Sequence, residues 1–313
     1  MNARSTSGTG AKAATATGGP LLHTYLKLTA VSVFWAGTLI AARTVSTHMP
    51  PASAGFFRFL VATVALLVAL QLSKGLAVLR QVGWRDLSGT MVLGASGVLL
   101  YNLCLFNAAR LIEASRISVF VALNPVVTVL LAAIFLREQV TATRWSGIAM
   151  ALGGVWVVAT RGELASLAAN SGMGELSMLG AVFGWAIYTL LGRRTLRTLD
   201  ALVATVLAAG WGTLFLLIAA WPQLRALPAS AFAPGVVTSI VYVGVFGTAI
   251  AFVWYYQGIE HIGAARAVAF NNLVPVLGVL FGWLILHEPL TASLATGCAL
   301  TVGGVYLVNR SPQ

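Results

Sequence analysis

One arginine of this sequence stands where a charge is unusual. Arg58 lies about five residues inside a long apolar run. A charge at such a depth is costly unless it faces a cavity or a partner. Two interpretations are open: Arg58 attracts an anionic group of a ligand, or its long side chain extends back to the polar edge of the run.

Amide and aromatic side chains form a second group in or beside the apolar runs. An amide in such a place usually faces a partner helix or a wet cavity, and we favour the cavity for Asn124, Asn271 and Asn272. Aromatic residues near the ends of runs are weaker indications, because they also serve as interface anchors. We predict a substrate-binding cavity formed by Arg58, Trp35, Tyr101, Asn102, Asn124, Trp185, Tyr188, Asn271 and Asn272.

Two arginines and two prolines occupy matching places 150 residues apart, and we predict a gating role for all four. Arg116 and Arg266 begin apolar runs, where the helix dipole disfavours a cation. Either a carboxylate or carbonyl partner holds each arginine and locks a gate, or the side chain anchors at a membrane interface. Pro125 and Pro275 lie deep inside runs, where a proline removes one backbone hydrogen bond and kinks the helix.

The acidic residues all stand near the ends of segments. Glu138 and Glu288 end two matching runs, and Thr141 and Thr291 follow them as predicted helix N-caps,. We expect a structural role for both glutamates, since an acid just before a helix suits its dipole. A proton-coupled antiporter of lipophilic cations would need an acid in the middle of an apolar run, and the sequence has none.

Motifs of catalysis and metal binding are absent from the sequence. It contains no G-x-S-x-G, no H-E-x-x-H and no phosphate-binding Gly-Lys loop,. Cys104 and Cys298 lie inside apolar runs, and the four histidines are scattered near segment ends. We therefore expect no catalytic residue, no metal site and no cofactor.

The composition is that of a membrane protein. Of 313 residues, 58% are hydrophobic and only 9% are charged, whereas a soluble chain has about a quarter charged. Apolar runs of about 20 residues recur, which is the length that crosses a membrane, and they lack the polar face of a soluble helix. We predict an all-α polytopic membrane protein. The net charge of +11 indicates cytoplasmic loops and not nucleic-acid binding.

The apolar runs predict ten transmembrane helices. Residues 1–24 are predicted to be a disordered cytoplasmic tail; a signal peptide is less favoured because the Ala/Thr stretch is weakly apolar. A first five-helix repeat is predicted over 25–160, a connector over 161–174 and a second repeat over 175–309. The predicted helices are 25–45, 53–73, 87–108, 115–136, 144–160, 175–193, 201–221, 235–257, 264–286 and 292–309.

An internal duplication relates the two repeats. When the sequence is shifted by 150 positions, residues 112–158 align with 262–308 without a gap, and roughly 19 of 47 positions are identical,. An odd number of helices in each half inserts the second half upside down. Inverted repeats are typical of alternating-access transporters with a central cavity. Roughly 13 basic residues against 6 favour a cytoplasmic position for both termini,.

Several short motifs carry a resemblance to a known family. They are Phe57-Arg58-Phe59, Pro125, Leu136-Arg137-Glu138-Gln139, Gly153-Gly154, Ala264-Ala265-Arg266, Pro275 and Leu286-His287-Glu288-Pro289-Leu290. With these motifs the chain resembles the EamA-type transporters of the drug/metabolite transporter superfamily, over nearly the whole chain after residue 24. The Leu-His-Glu at 286–288 departs from the commoner Leu-Gly-Glu.

The resemblance implies a transporter and not an enzyme. We expect a secondary transporter of a bacterial inner membrane that exports small neutral, zwitterionic or anionic metabolites, such as amino acids. A multidrug or toxic-compound exporter is the alternative, and an intramembrane enzyme is less favoured because no cluster of catalytic side chains lies at one depth. The expected partners are a small-molecule substrate and the lipid bilayer, with no nucleic acid, and the protein is expected to be a monomer or homodimer.

Overall fold

The computed structural model describes residues 18–137, 139–161, 172–262, 267 and 270–310, and helix is the regular secondary structure found in them. The first half contains α1 (Gly18–Ser46), α2 (Pro51–Ser73), α3 (Trp84–Leu93), α4 (Tyr101–Leu111), α5 (Ala114–Val121), α6 (Asn124–Leu136) and α7 (Ala142–Thr160). The second contains α8 (Met173–Thr195), α9 (Ala201–Leu224), α10 (Pro234–Gly244), α11 (Ala251–Ile262), α12 (Leu273–Leu286) and α13 (Ala292–Arg310).

The prediction of a multi-pass helical membrane protein is confirmed. Eight helical stretches of the described chain are long and apolar enough to cross a membrane, and the apolar helix Phe270–Leu286 is shorter. The predicted segments fall on helix where they are described, except that a turn at residues 122–123 interrupts the segment 115–136. Residues 264–266, at the start of the ninth predicted segment, lie outside the described residues.

Two predicted segments contain π-helical turns that the apolar pattern did not indicate. Gly94–Leu100 joins α3 to α4, and Val245–Ile250 joins α10 to α11. A π-helical turn holds one more residue than an α-helical turn, and such turns are frequent at functional sites. In these turns the glycine backbone lies directly against side chains of neighbouring helices. A Cβ at Gly97 would collide with Tyr188, and one at Gly247 would collide with Thr38.

The two prolines were predicted to kink helix interiors, but each lies in the first turn of a helix. α5 ends before a turn at residues 122–123, and Pro125 is the second residue of α6. Pro275 is the third residue of α12, after the 3-10 turn Phe270–Asn272. The first N–H groups of a helix have no partner within it, so these prolines remove no helical hydrogen bond. The predicted kinks are therefore breaks between helical segments.

Hydroxyl groups donate hydrogen bonds to carbonyl oxygens at these breaks. Ser118 Oγ donates to the carbonyl oxygen of Pro275 at 3.2 Å, which links the two breaks. Thr128 Oγ1 donates to the carbonyl oxygen of Asn124 at 2.7 Å. The small hydroxyls reach these oxygens from within one helical turn or across the α5–α12 contact.

Helices α7 and α13 pack closely and run antiparallel. A Cβ on Gly147 would lie 2.7 Å from the carbonyl oxygen of Gly304, and one on Gly154 would lie 2.6 Å from that of Gly297. Gly154 and Gly304 therefore lie where the two helices approach closely. Gly153 faces open space.

Helices α2 and α9 form a second antiparallel pair. The hydroxyls of Thr63 and Thr213, which are 150 residues apart, are hydrogen-bonded at 2.8 Å. At the end of α2, Lys74 Nζ pairs with Asp200 at the start of α9 at 2.6 Å. Residue numbers rise along α2 from Thr63 to Lys74, while those of their partners on α9 fall from Thr213 to Asp200, so the two helices are antiparallel.

Candidate functional site

A small cavity lies between α2, the two π-helical turns, α8 and α9. It brings together five of the residues predicted for the substrate cavity: Arg58, Tyr101, Asn102, Trp185 and Tyr188. Its volume of about 30 Å³ has room for roughly two water molecules. A larger ligand requires its walls to move apart. The lining also includes Phe59, Gly97, Val98, Thr205, Ala208, Thr248 and Phe252, which the sequence analysis did not select.

Arg58 is buried in this cavity, with 8% of its surface exposed. Nη1 donates to Oδ1 of Asn102 at 3.1 Å, and Nη2 donates to Oγ1 of Thr248 at 3.4 Å. Nε has no hydrogen-bond partner, and no carboxylate of the described chain pairs with this guanidinium. The interpretation that Arg58 extends to the membrane surface is wrong, because both partners lie in the interior.

The two partners of Arg58 are themselves fixed by the backbone around the π-helical turns. Asn102 Nδ2 donates to the carbonyl oxygen of Val98 at 2.6 Å, so its Oδ1 remains for the arginine. Thr248 Oγ1 donates to the carbonyl oxygen of Val243, five residues earlier, at 2.9 Å. Both acceptors therefore present lone pairs to Arg58. A threonine within the apolar Val245–Ile250 was the only sequence signal for Thr248.

Aromatic rings form one wall of the cavity. Trp185 packs between Tyr101 and Tyr188, with ring centroids 5.4 and 5.3 Å away. Trp35, its counterpart in the first half, donates its indole N–H to the carbonyl oxygen of Gly247 at 3.2 Å and lies behind Phe252. Trp185 makes no such bond within the described residues, so its N–H remains available.

The three mid-run amides lie outside the lining of this cavity, contrary to the prediction that they form it. The helix breaks place them at or beside the starts of α6 and α12. Asn124 Oδ1 is buried without a partner. Asn271 Nδ2 donates to the hydroxyl of Tyr255 at 3.5 Å. Asn272 is the N-cap residue of α12, but its side chain forms no capping bond.

Arg116 is buried, with 8% of its surface exposed. Nη2 donates to Oε1 of Glu175 at 2.7 Å and to the carbonyl oxygens of Val158 and Ala159 at 3.0 and 3.1 Å. Carboxylate and carbonyl partners therefore hold Arg116, as the first of the two alternatives expected. Arg266 lies outside the described residues.

Glu288 was expected to stabilise the dipole of the helix that follows it. It has a structural role, but at a different helix. Its Oε1 and Oε2 accept the backbone N–H groups of Ala114 and Ser115 at 2.8 and 2.9 Å. This carboxylate of the second half therefore caps α5 of the first half. Thr291 caps α13 as predicted, accepting a backbone N–H at 3.2 Å. Glu138 lies outside the described residues.

The groups in the cavity are suited to binding an anion. They comprise one guanidinium, one amide, threonine hydroxyls and aromatic rings. Such groups orient a small molecule through charge-assisted and neutral hydrogen bonds. In the described part of the chain no group of three His, Cys, Asp or Glu residues lies close enough together to hold a metal ion.

Comparisons with known proteins agree with this architecture. The model of the EamA-like transporter family matches residues 23–160 and 172–310. An uncharacterized transporter of Archaeoglobus fulgidus is 27% identical, over 91% of this chain and 96% of its own. A probable terminal-alkyne amino-acid exporter of Streptantibioticus cattleyicolor is 31% identical, over 89% of this chain and 90% of its own.

A solved crystal structure shares the fold. It matches with a TM-score of 0.63 and 22% identity, over 91% of this chain and 96% of that one. The family model covers most of the chain in two successive matches, and the relatives align over nearly their full length. The chain therefore belongs to the EamA-like transporter family, and it is a multi-pass membrane transporter.

Proposed function

We propose that this protein exports small carboxylate-bearing metabolites, amino acids among them, across the bacterial inner membrane by alternating access. The observation that carries the proposal is the guanidinium of Arg58, which is buried beside a cavity with only neutral partners. A cation in such a place is expensive in a membrane protein and usually marks a ligand pathway.

A substrate carboxylate would supply the missing charge. Two parallel N–H···O bonds to a carboxylate are stronger than the bonds that Arg58 now forms with an amide and a hydroxyl. Removing charges from water costs several kcal/mol per ion, and a paired anion offsets this cost where the geometry is good and further hydrogen bonds satisfy both ions. A lipophilic cation would be repelled by the same group, so Arg58 favours carboxylates over the substrates of a multidrug exporter.

The relatives support this class of substrate. The Streptantibioticus cattleyicolor protein, 31% identical, is a probable exporter of a terminal-alkyne amino acid. An amino acid carries a carboxylate and an ammonium group at neutral pH. Arg58 suits the first, and the hydroxyls and aromatic rings of the cavity suit the second.

Contacts between the halves support two inverted five-helix repeats, 25–160 and 175–309. The pair Gly147–Gly304 recurs with its partners exchanged as Gly297–Gly154, 150 residues away. Such an exchange is typical of a twofold axis. The paired helices are antiparallel, so this axis is perpendicular to them and lies in the plane of the membrane.

Residues of both predicted repeats line the cavity. Arg58 and its counterpart Ala208 both line it, as do Val98 and its counterpart Thr248. A site shared by both repeats is the arrangement that alternating access requires. The charged residue comes from the first repeat alone.

Counterflow into proteoliposomes tests the proposal. Exchange should occur with small amino and 2-oxo acids and should fall strongly when the carboxylate is replaced by an amide. Arg58→Ala should reduce exchange at least tenfold per folded molecule, while Arg58→Lys retains part of it because the charge remains and the fork is lost.

Arg225→Ala serves as the matched control, since this arginine is exposed beyond the end of α9. It should exchange like the parent. Equal transport of acids and amides by the parent, or an unchanged rate in Arg58→Ala, would contradict the carboxylate assignment. Transport of lipophilic cations instead would favour a multidrug exporter.

A further inference from the structure

An open groove lies at one end of the molecule, between α2, α4, α8 and α9. Its volume is about 300 Å³. Three of its lining residues, Cys104, Asn107 and Ser177, are called here the groove trio. Asn107 Nδ2 donates to Oγ of Ser177 at 2.8 Å. Small neutral side chains therefore leave this end open.

The residues 150 positions away from the groove trio are large, and one is charged. These counterparts, called here the lysine trio, are Lys27, Trp254 and Gln257. Lys27 Nζ donates to Oε1 of Gln257 at 2.9 Å and lies 5.8 Å from the centre of the Trp254 ring. The same backbone positions that border an open groove at one end are filled by these side chains at the other.

The lysine trio lies close to the central cavity along the helices. Gln257 follows Phe252, which lines the cavity, by five residues, or about 8 Å of helix. Lys27 precedes Trp35, which packs behind Phe252, by eight residues, or about 12 Å. A molecule passing this end meets the ammonium of Lys27 before it meets Arg58.

None of the carboxylates whose side chains the structure describes, which excludes Glu260, pairs with Lys27. An amide oxygen and a ring face are weak substitutes for an anion. Lys74, the next lysine along the chain, differs because it is paired with Asp200 at 2.6 Å. Burial alone would raise the pKa of Asp200, but the hydrogen bond from Lys74, backbone N–H groups and the lysine charge together lower it.

We propose that the lysine trio is a docking site at the cytoplasmic mouth for the anionic group of the substrate. The carboxylate replaces the Gln257 amide oxygen as the partner of Lys27, and the Trp254 ring covers the apolar part of the substrate. The groove trio, which lacks a charge, is the exit. This inference rests on the proposed function and on the orientation with cytoplasmic termini.

Transport measured separately from each face tests the docking site. At low salt, Lys27→Gln should raise the KM for a carboxylate offered at the cytoplasmic face by about three- to tenfold, and salt should reduce the difference. The KM from the other face should not change. Lys74→Gln, which removes a paired lysine at the same end, should behave like the parent. An unchanged KM in Lys27→Gln, or equal changes at both faces, overturns the proposal.

A thiol-reactivity measurement does not depend on transport. In a Cys104→Ser, Cys298→Ser background, Trp254→Cys should react about fifteenfold faster with a sulfonate-bearing thiosulfonate than with its trimethylammonium analogue, because one unit charge about 5 Å away in water speeds the reaction of the anion about fourfold and slows that of the cation about fourfold. Adding Lys27→Gln should abolish the preference. The reaction should occur from the cytoplasmic face, and reaction only from the outer face, or from neither, overturns the proposal.

The groove trio supplies the converse test with a native cysteine. In a Cys298→Ser background, Ser177→Lys should create at Cys104 the anion preference found at the lysine trio. If these preferences appear but no carboxylate is transported, the proposed function fails and the anion site stands. If carboxylates are transported through Arg58 but no preference appears, the docking site alone fails.

Discussion

Glu288 should be among the most important single side chains for the stability of this protein. It is buried, with 8% of its surface exposed, and it accepts two backbone N–H groups of α5 from the opposite half. In Glu288→Ala both donors, at Ala114 and Ser115, lose their partner. Each buried, unsatisfied donor costs about 1–3 kcal/mol, so we expect a loss of about 3 kcal/mol in the free energy of unfolding.

Two further variants separate this contact from a general effect of mutation. Thr291→Ala removes the cap of α13 three residues later and should cost about 1 kcal/mol, as an ordinary N-cap does. Gly282→Ala should displace the carboxylate without removing it, because a Cβ there would lie 2.6 Å from Oε2 of Glu288. Once Glu288 is alanine, Gly282→Ala should cost markedly less, and the remaining cost comes from Cβ and the backbone N of Ser115, 3.1 and 3.3 Å from the new Cβ,.

Denaturant titration of the purified protein in detergent measures the stability of each of these variants, with thermal unfolding as a second measurement. Glu288→Gln should fall between parent and Glu288→Ala, because its amide can accept one N–H while its NH₂ faces the other. The reasoning is refuted if Glu288→Ala is no more destabilising than Thr291→Ala. An equal cost of Gly282→Ala in both backgrounds would also refute it.

Four other predictions follow from the same structure. A reporter fused to the C-terminus should be active on the cytoplasmic side, as the arginine distribution implies; activity in the periplasm would reverse the proposed orientation. Collapsing the pH gradient should leave counterflow intact, because no carboxylate lines the described cavity; strict dependence on the gradient would reveal a coupling group. His287→Gly should raise stability by about 0.5–1 kcal/mol, because His287 holds φ 55°, a conformation that favours glycine; thermal unfolding in detergent checks this. Pro125→Ala and Pro275→Ala should shift cysteine accessibility towards opposite sides if the helix breaks act as hinges; labelling like the parent in both would show that the breaks are static.

The sequence was sufficient for the helices but not for their irregularities. The apolar runs and the 150-residue offset can be read directly from the order of the residues, so the helices and their repetition could be predicted. The π-helical turns at Gly94–Leu100 and Val245–Ile250 depend on which neighbour packs against each glycine. The break before Pro125 was interpreted as a kink, because a proline signals an interrupted helix without showing on which side the chain turns.

The candidate site was predicted in part, for a similar reason. Arg58, Tyr101 and Asn102 stood out as polar residues in apolar surroundings, and the cavity contains all three. Asn124 stood out equally, but a helix break directs it elsewhere. Thr248 was missed because one hydroxyl in an apolar run commonly bonds its own backbone. It does so here and also accepts from Arg58.

The positions at which the two halves differ say more about function than the positions at which they are alike. Arg58 corresponds to Ala208 in the second half, and Lys27 corresponds to Ser177. The two cations assigned to anion binding therefore both belong to the first half. Charges placed on one side of a carrier do not by themselves determine the direction of net transport, because a ligand shifts an equilibrium only by its differential affinity for the two states. Without a coupled ion, the substrate gradient sets the final distribution across the membrane. In the proposed mechanism, the Lys27 charge instead raises the chance of capture at low cytoplasmic concentration. The proposed asymmetry of the site is therefore kinetic, and it would suit an exporter that removes a metabolite before it accumulates.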